Sequence, residues 1–201
     1  MVLLTGGGGR ERRHCESAIL PAMQPHDILH FWFEALSPKQ HFSKDTALDA
    51  QIAARFGSTL EAAARCELFA WRTSAEGRLA EIIVLDQFSR NILRDTAHAF
   101  AQDPLALALA QELVCSGQDH SLPLAQRSFA YMPYMHSESA LVHTQAVQLL
   151  AQPGLEDTLR FELLHQSIIT RFGRYPHRNA VLGRDSTSEE LAFLSGPGSS
   201  F

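Results

Sequence analysis

Helix-start signatures recur along this chain at short intervals and strand signals are nearly absent, which restricts the fold more than any other feature. Ser58-x-x-Glu61, Thr73-x-x-Glu76 and Thr187-x-x-Glu190 each have the form of a capping box. In such a box a hydroxyl and a carboxylate three residues on satisfy amides left without partners where a helix begins. Asp103-Pro104 reads as a further start, an N-cap followed by proline at the first helical position. Between these starts apolar residues fall at helical spacing, as Ile28, Leu29, Trp32 and Phe33 do within 25–35. A segment over 46–56 is expected to stop at Gly57, one over 105–114 at Gly117, and one over 155–172 at Gly173. Segments over 123–131 and 137–151 complete the series, and the Thr187 box opens a short last helix. Roughly eight helices joined by short loops predict an all-α fold, a stack of helical hairpins or a bundle.

The 201 residues, 45% apolar and 19% charged, suit one domain with a real core. A formal charge of −5 gives no general attraction to nucleic acid or to anionic lipid, both of which demand a basic surface, so neither is expected as a partner. Three cysteines, Cys15, Cys66 and Cys115, with no C-x-x-C spacing argue against a disulfide framework and a thiolate zinc site, and point to a reducing, cytoplasmic setting. Residues 1–23 read differently from the rest, and are expected to be a disordered extension or to precede the true start at Met23. Val2-Leu3-Leu4 is too short for a signal-peptide core or a membrane span. Followed by Gly6 to Gly9 it imitates a dinucleotide loop, but Arg10-Glu11-Arg12-Arg13 leads to Pro21 rather than into an amphipathic helix and second strand, so no cofactor is expected. Residues 24–201 are expected to form a single helical domain.

Chemistry is sought where polar residues interrupt this pattern. A helix expected over 75–93 carries Ile82, Ile83, Val84 and Leu85 in one turn, apolar nearly all round and therefore central, then presents Asp86, Gln87, Arg90 and Asn91. Asp86 and Arg90 share a face, as do Gln87 and Asn91, which predicts an ion pair and an amide pair close to the core. In Met132-Pro133-Tyr134-Met135-His136-Ser137-Glu138 the proline is expected to break one helix and Ser137 to cap the next. Glu138 then falls on a face with Leu141, Val142 and Leu149, where a carboxylate needs a cation or donor. His165 lies at the centre of the face made by Phe161, Ile168, Ile169 and Phe172. The densest interruption is Arg171-Phe172-Gly173-Arg174-Tyr175-Pro176-His177-Arg178-Asn179, whose arginines can grip a carboxylate or phosphate and whose His177 can move a proton near neutral pH. The same stretch reads equally as a salt-bridge hub tying Asp86 and Glu138 to the C-terminus.

Asp86-Gln87-Phe88-Ser89-Arg90-Asn91, Met135-His136-Ser137-Glu138, His165, the run from Phe172 to Asn179 and the terminal Pro197-Gly198-Ser199-Ser200-Phe201 together resemble the bacterial domain of unknown function 924 family. The resemblance covers residues 24–201, with Ser89 where the family pattern has proline and Tyr175 where it has phenylalanine. It implies an all-helical fold similar to that of tetratricopeptide-repeat proteins, an α-α superhelix, and brings no established activity.

Two readings of function stay open. In the first, Asp86, Arg90, Asn91, Arg171, Arg174, Arg178 and Asn179 bind a small anionic molecule while His136, Glu138, His165 and His177 supply acid–base capacity. A metal on the same histidines is chemically feasible, but no ligand spacing favours one, and none is assigned. In the second, the stack of helices is a scaffold for a protein or peptide partner and the polar motifs are internal ties.

Overall fold

Helix α4 (Ala75–Ile83) occupies the centre of the molecule because its sequence is apolar on nearly every side. Leu79, Ile82 and Ile83 are fully buried, as are Val84 and Leu85 just beyond. The computed structural model describes residues 23–199; the expectations for residues 1–22, including the glycine run, lie outside it. α4 opens one residue later than the capping box suggested, with Ser74 Oγ accepting from the Gly77 amide at 3.0 Å. Gly77 is required there, since a Cβ would sit 1.9 Å from the Trp71 carbonyl oxygen.

Around α4 pack α1 (Pro25–His30), α6 (Asp103–Cys115) and α7 (Leu124–Met135). α1 continues as a π-helical turn, Phe31–Ala35, that buries Phe31 and Trp32; α2 (Pro38–His41) is a single turn. α3 (Thr46–Ala64) runs straight through Gly57 and Ser58, so the expected stop and restart are absent. A glycine inside a helix costs only about 1 kcal/mol relative to alanine. Burial of Phe56, Leu60 and Ala63 along one face outweighs that cost.

α4 does not end where its α-helical hydrogen bonding does. A second π turn, Val84–Phe88, carries the chain into α5 (Ser89–Ile92). Such a turn holds one residue more than an α-helical turn and is common at functional sites. All five of its residues are buried, Asp86 completely.

α6 to α9 run as successive packed neighbours, α8 (Ala140–Leu150) and α9 (Glu156–Phe172) forming a hairpin on α7. Asp103 is the first residue of α6, with Gln102 before it as the cap. Pro133 does not break α7, which reaches Met135 with Pro133 inside it. Every residue from Phe129 to Met135 is buried, and this packing overrides the proline's missing amide. α9 ends as expected at Gly173, whose φ of 69° is the left-handed conformation glycine adopts without strain. α10 (Ser188–Leu194) starts with the predicted box: the Glu190 amide donates to Thr187 Oγ1 at 3.2 Å and the Thr187 amide to Glu190 Oε2 at 2.7 Å. A small cluster of Ile168, Ile169, Tyr175, Phe172 and Phe193 ties α10 to α9. The described residues are all-helical, without a strand, and no helix among them is long and apolar enough to cross a membrane.

Candidate functional site

Asp86 enters the interior on the π turn, and three groups answer its charge. His136, the residue that ends α7, places Nδ1 2.7 Å from Asp86 Oδ1. Arg90, one turn on, puts Nη1 3.2 Å from the same oxygen and donates to the Asp86 carbonyl at 2.7 Å. Gln87 Nε2 donates to Oδ2 at 2.6 Å. Burial alone would raise the Asp86 pKa, but Arg90 and then His136 and Gln87 hold it well below the usual carboxylate range.

His136 itself is pulled below its ordinary value, first by burial and then by the Arg90 guanidinium, against the opposing pull of Asp86. The direction follows from the geometry, because Arg90 already neutralises the carboxylate that would otherwise favour an imidazolium. The ring is therefore neutral at pH 7, with its proton on Nδ1 directed at Asp86. Nε2 makes no hydrogen bond among the described residues, and the side chain is 16% exposed.

A second carboxylate, which its place before Pro104 marks as a helix cap, organises the arginines. Asp103 accepts from Arg90 through both oxygens, at 2.9 and 3.0 Å, and from Arg178 Nη1 at 3.1 Å. Arg178 lies between two rings, 4.5 Å from the Phe100 centroid and 4.6 Å from that of Tyr175. Burial and the nearby Arg90 lower its pKa, and Nε is buried without an acceptor. The Tyr175 ring also meets His165, His177 and His143, at 5.8, 5.5 and 6.3 Å. Burial, with Arg178 second, lowers His177 to about 4; burial lowers His165 to about 3 although its Nδ1 donates to the Phe161 carbonyl at 2.8 Å.

Of the residues singled out in the sequence, Asp86, Arg90, His136 and Arg178 thus meet in one network, with His165 and His177 around the same tyrosine. The others have other side-chain partners, although Glu138 reaches the backbone amide of the same tyrosine. Glu138 precedes α8 instead of sharing a face with Leu141, because that helix begins at Ala140. It accepts from Arg184 at 2.6 and 2.9 Å and from the Tyr175 amide at 2.7 Å, donors that hold it ionised against the effect of burial. Asn91 does not pair with Gln87; it donates to Asp49 at 2.8 Å beside Arg94. Arg171 reaches the exposed Glu189, Arg174 grips Glu190 at 2.6 and 2.8 Å, and Asn179 donates to Ser186 and accepts from Arg184. Glu138, Arg171, Arg174 and Asn179 tie the C-terminal segment together.

The sequence reading missed His143 and Glu162 altogether. Both are fully buried, with His143 Nδ1 2.6 Å from Glu162 Oε1 and Nε2 2.8 Å from the Ser137 carbonyl. Their places on the inner faces of α8 and α9 were the one available signal. No group of three His, Cys, Asp or Glu side chains placed to hold a metal occurs among the described residues. Two hollows, about 390 and 260 Å³, lie between α6, α7 and α8 and include none of the Asp86 network in their walls.

A solved structure of a protein of unknown function from Agrobacterium tumefaciens is 40% identical and superposes with a TM-score of 0.81, over 86% of this chain and 97% of that one. No curated protein matches the chain. Residues 28–198 match the family of bacterial proteins of unknown function called DUF924, and the chain belongs to that family.

Proposed function

We propose that the chain binds a small anionic molecule beside the Asp86–His136 pair and that His136 acts on it as a general base. One observation carries the reading: His136 is fixed at Nδ1 by a buried carboxylate while Nε2 is left unengaged on a partly exposed ring. A neutral imidazole held in one tautomer by a carboxylate is the form that removes a proton. Arg178, with an unsatisfied Nε and only one nitrogen committed to Asp103, supplies the donor for a carboxylate or phosphate. Asp103 sets the limit on affinity, since an incoming anion competes with it for both guanidinium groups.

The test is a thermal-shift screen of the full chain against small carboxylates and phosphates, beside Arg178→Ala and His136→Ala. A ligand at a hundred times its dissociation constant adds about 2.7 kcal/mol to the folded state. A shift lost in Arg178→Ala supports the reading, and turnover lost in His136→Ala with binding kept assigns the proton transfer. A screen with no shift, in which both variants are merely less stable, removes it. The second reading, a scaffold for a peptide, is favoured by the hollows on the α6–α8 face, which are separate from this network.

A further inference from the structure

Asp119 is a buried carboxylate that nothing in the Asp86 network uses. It sits in a 3-10 turn, Gln118–Ser121, between α6 and α7, and is 1% exposed. Oδ2 accepts from the Tyr131 hydroxyl, but Oδ1 is buried with no partner. Buried charges are as a rule paired, so an orphaned carboxylate oxygen calls for a group that the protein itself does not provide. Arg127 does not provide it. Its Nε donates to the Asp119 carbonyl, Nη1 to Gln152, and Nη2 to the carbonyls of His120 and Leu122, so the guanidinium fixes the turn through neutral acceptors.

Asp119 also lines the hollow of about 260 Å³, together with Tyr131, His120, Val114, Gln148 and Gln152. A second hollow of about 390 Å³ shares Val114, Gln148 and Leu149 and extends the groove toward Gln111 and Gln145. Burial and then the field of Asp119 push Tyr134, in the wall of this second hollow, up to about 12, so it presents a neutral hydroxyl. A negative oxygen, an aromatic wall and a rim of amides favour a cationic nitrogen and disfavour an anion.

We infer that the groove between α6, α7 and α8 is a binding site for an alkylammonium group, seated on Asp119 Oδ1. The site is independent of the Asp86–His136 pair and takes the opposite charge. Two sources present this chemistry, a free small amine and the lysine side chain of a peptide, and the experiment separates them.

The measurement is calorimetric titration of the full chain with n-butylammonium, with n-butanol as the uncharged counterpart and with an acetylated, amidated lysine tripeptide. Butylammonium is expected to bind and butanol not to. Asp119→Asn, which keeps the shape and removes the charge, should weaken amine binding by about tenfold or more, whereas His136→Ala should leave it unchanged. A tripeptide that binds more tightly than butylammonium assigns a peptide lysine held along the glutamine rim; one that binds no better assigns a free amine. Equal binding of butylammonium and butanol, or an unchanged affinity in Asp119→Asn, overturns the site. Should Asp119→Asn fail to fold, Gln148→Lys supplies a tethered ammonium at the rim, expected to raise the melting midpoint and to abolish butylammonium binding. Undiminished butylammonium binding in Gln148→Lys counts against the site.

Discussion

Two carboxylate–histidine pairs in this molecule look alike in their contacts and differ in what is left over. His143 and Glu162 lie on facing helices, fully buried, and both imidazole nitrogens meet acceptors, Glu162 and the Ser137 carbonyl. Both nitrogens of a ring so placed are committed, and it has nothing left to offer a ligand. His136 meets Asp86 at nearly the same distance, 2.7 against 2.6 Å, but keeps Nε2 unengaged on a ring that solvent reaches. The difference arises from position on the chain. His143 is inside α8 and aimed at α9, whereas His136 closes α7, where the helix stops covering its own side chains. Burial of a histidine beside a carboxylate therefore does not decide whether the ring has an atom left for a ligand; the state of the second nitrogen does.

The strongest way to break this comparison is His143→Ala. It leaves Glu162 Oε1 buried without its hydrogen-bond partner, and Oε2 already has none. The loss is expected to be about 3–5 kcal/mol by urea denaturation, with ligand response unchanged in whatever fraction stays folded. A loss below about 1 kcal/mol would remove the structural role from this pair.

His165 sharpens the contrast, because it lies within the field of both His136 and His143. Its folded pKa of about 3 is below the unfolded value of 6.5, so on acidification the unfolded chain takes up the proton first. Stability is therefore full above pH 6.5 and falls as pH drops toward about 3. Between pH 6.5 and 4 this group alone costs about 3 kcal/mol. His165→Leu should flatten that limb of the stability curve, and an equally steep limb in the variant would show that the proton goes elsewhere.

How much of this was legible in the sequence follows the same division. The all-round apolar turn Ile82 to Leu85 announced the central helix, and the Thr187 box and Gly173 announced ends found where they were read, because local chemistry decides them. Gly57, Ser58 and Pro133 misled, since continuous burial along α3 and α7 overrides a local stop. Asp86 with Arg90 was readable from i, i+4 spacing, but the π turn that sends Asp86 inward has no signature in the residues. Asp103 was seen as a cap rather than as the carboxylate that gathers two arginines, and His143 with Glu162, 19 positions apart, became a pair only when α8 and α9 met.

His136→Ala bears on the other side of the comparison. Asp86 keeps Arg90 and Gln87, so the stability loss should be only about 1 kcal/mol, while turnover of any anionic substrate disappears. A loss as large as that of His143→Ala would make both pairs ties. The smallest effect is expected at Arg171, whose partner Glu189 is on the surface. Arg171→Ala should leave stability within about 0.5 kcal/mol and ligand response intact.

The most direct test of the central claim is a nitrogen-15 NMR measurement of the imidazole tautomers at pH 7. His136 should be neutral, with its proton on Nδ1 and a bare Nε2, while both nitrogens of His143 should show the shifts of hydrogen-bonded atoms. A doubly protonated His136, or one with its proton on Nε2, would contradict the account and place both pairs among the structural ties.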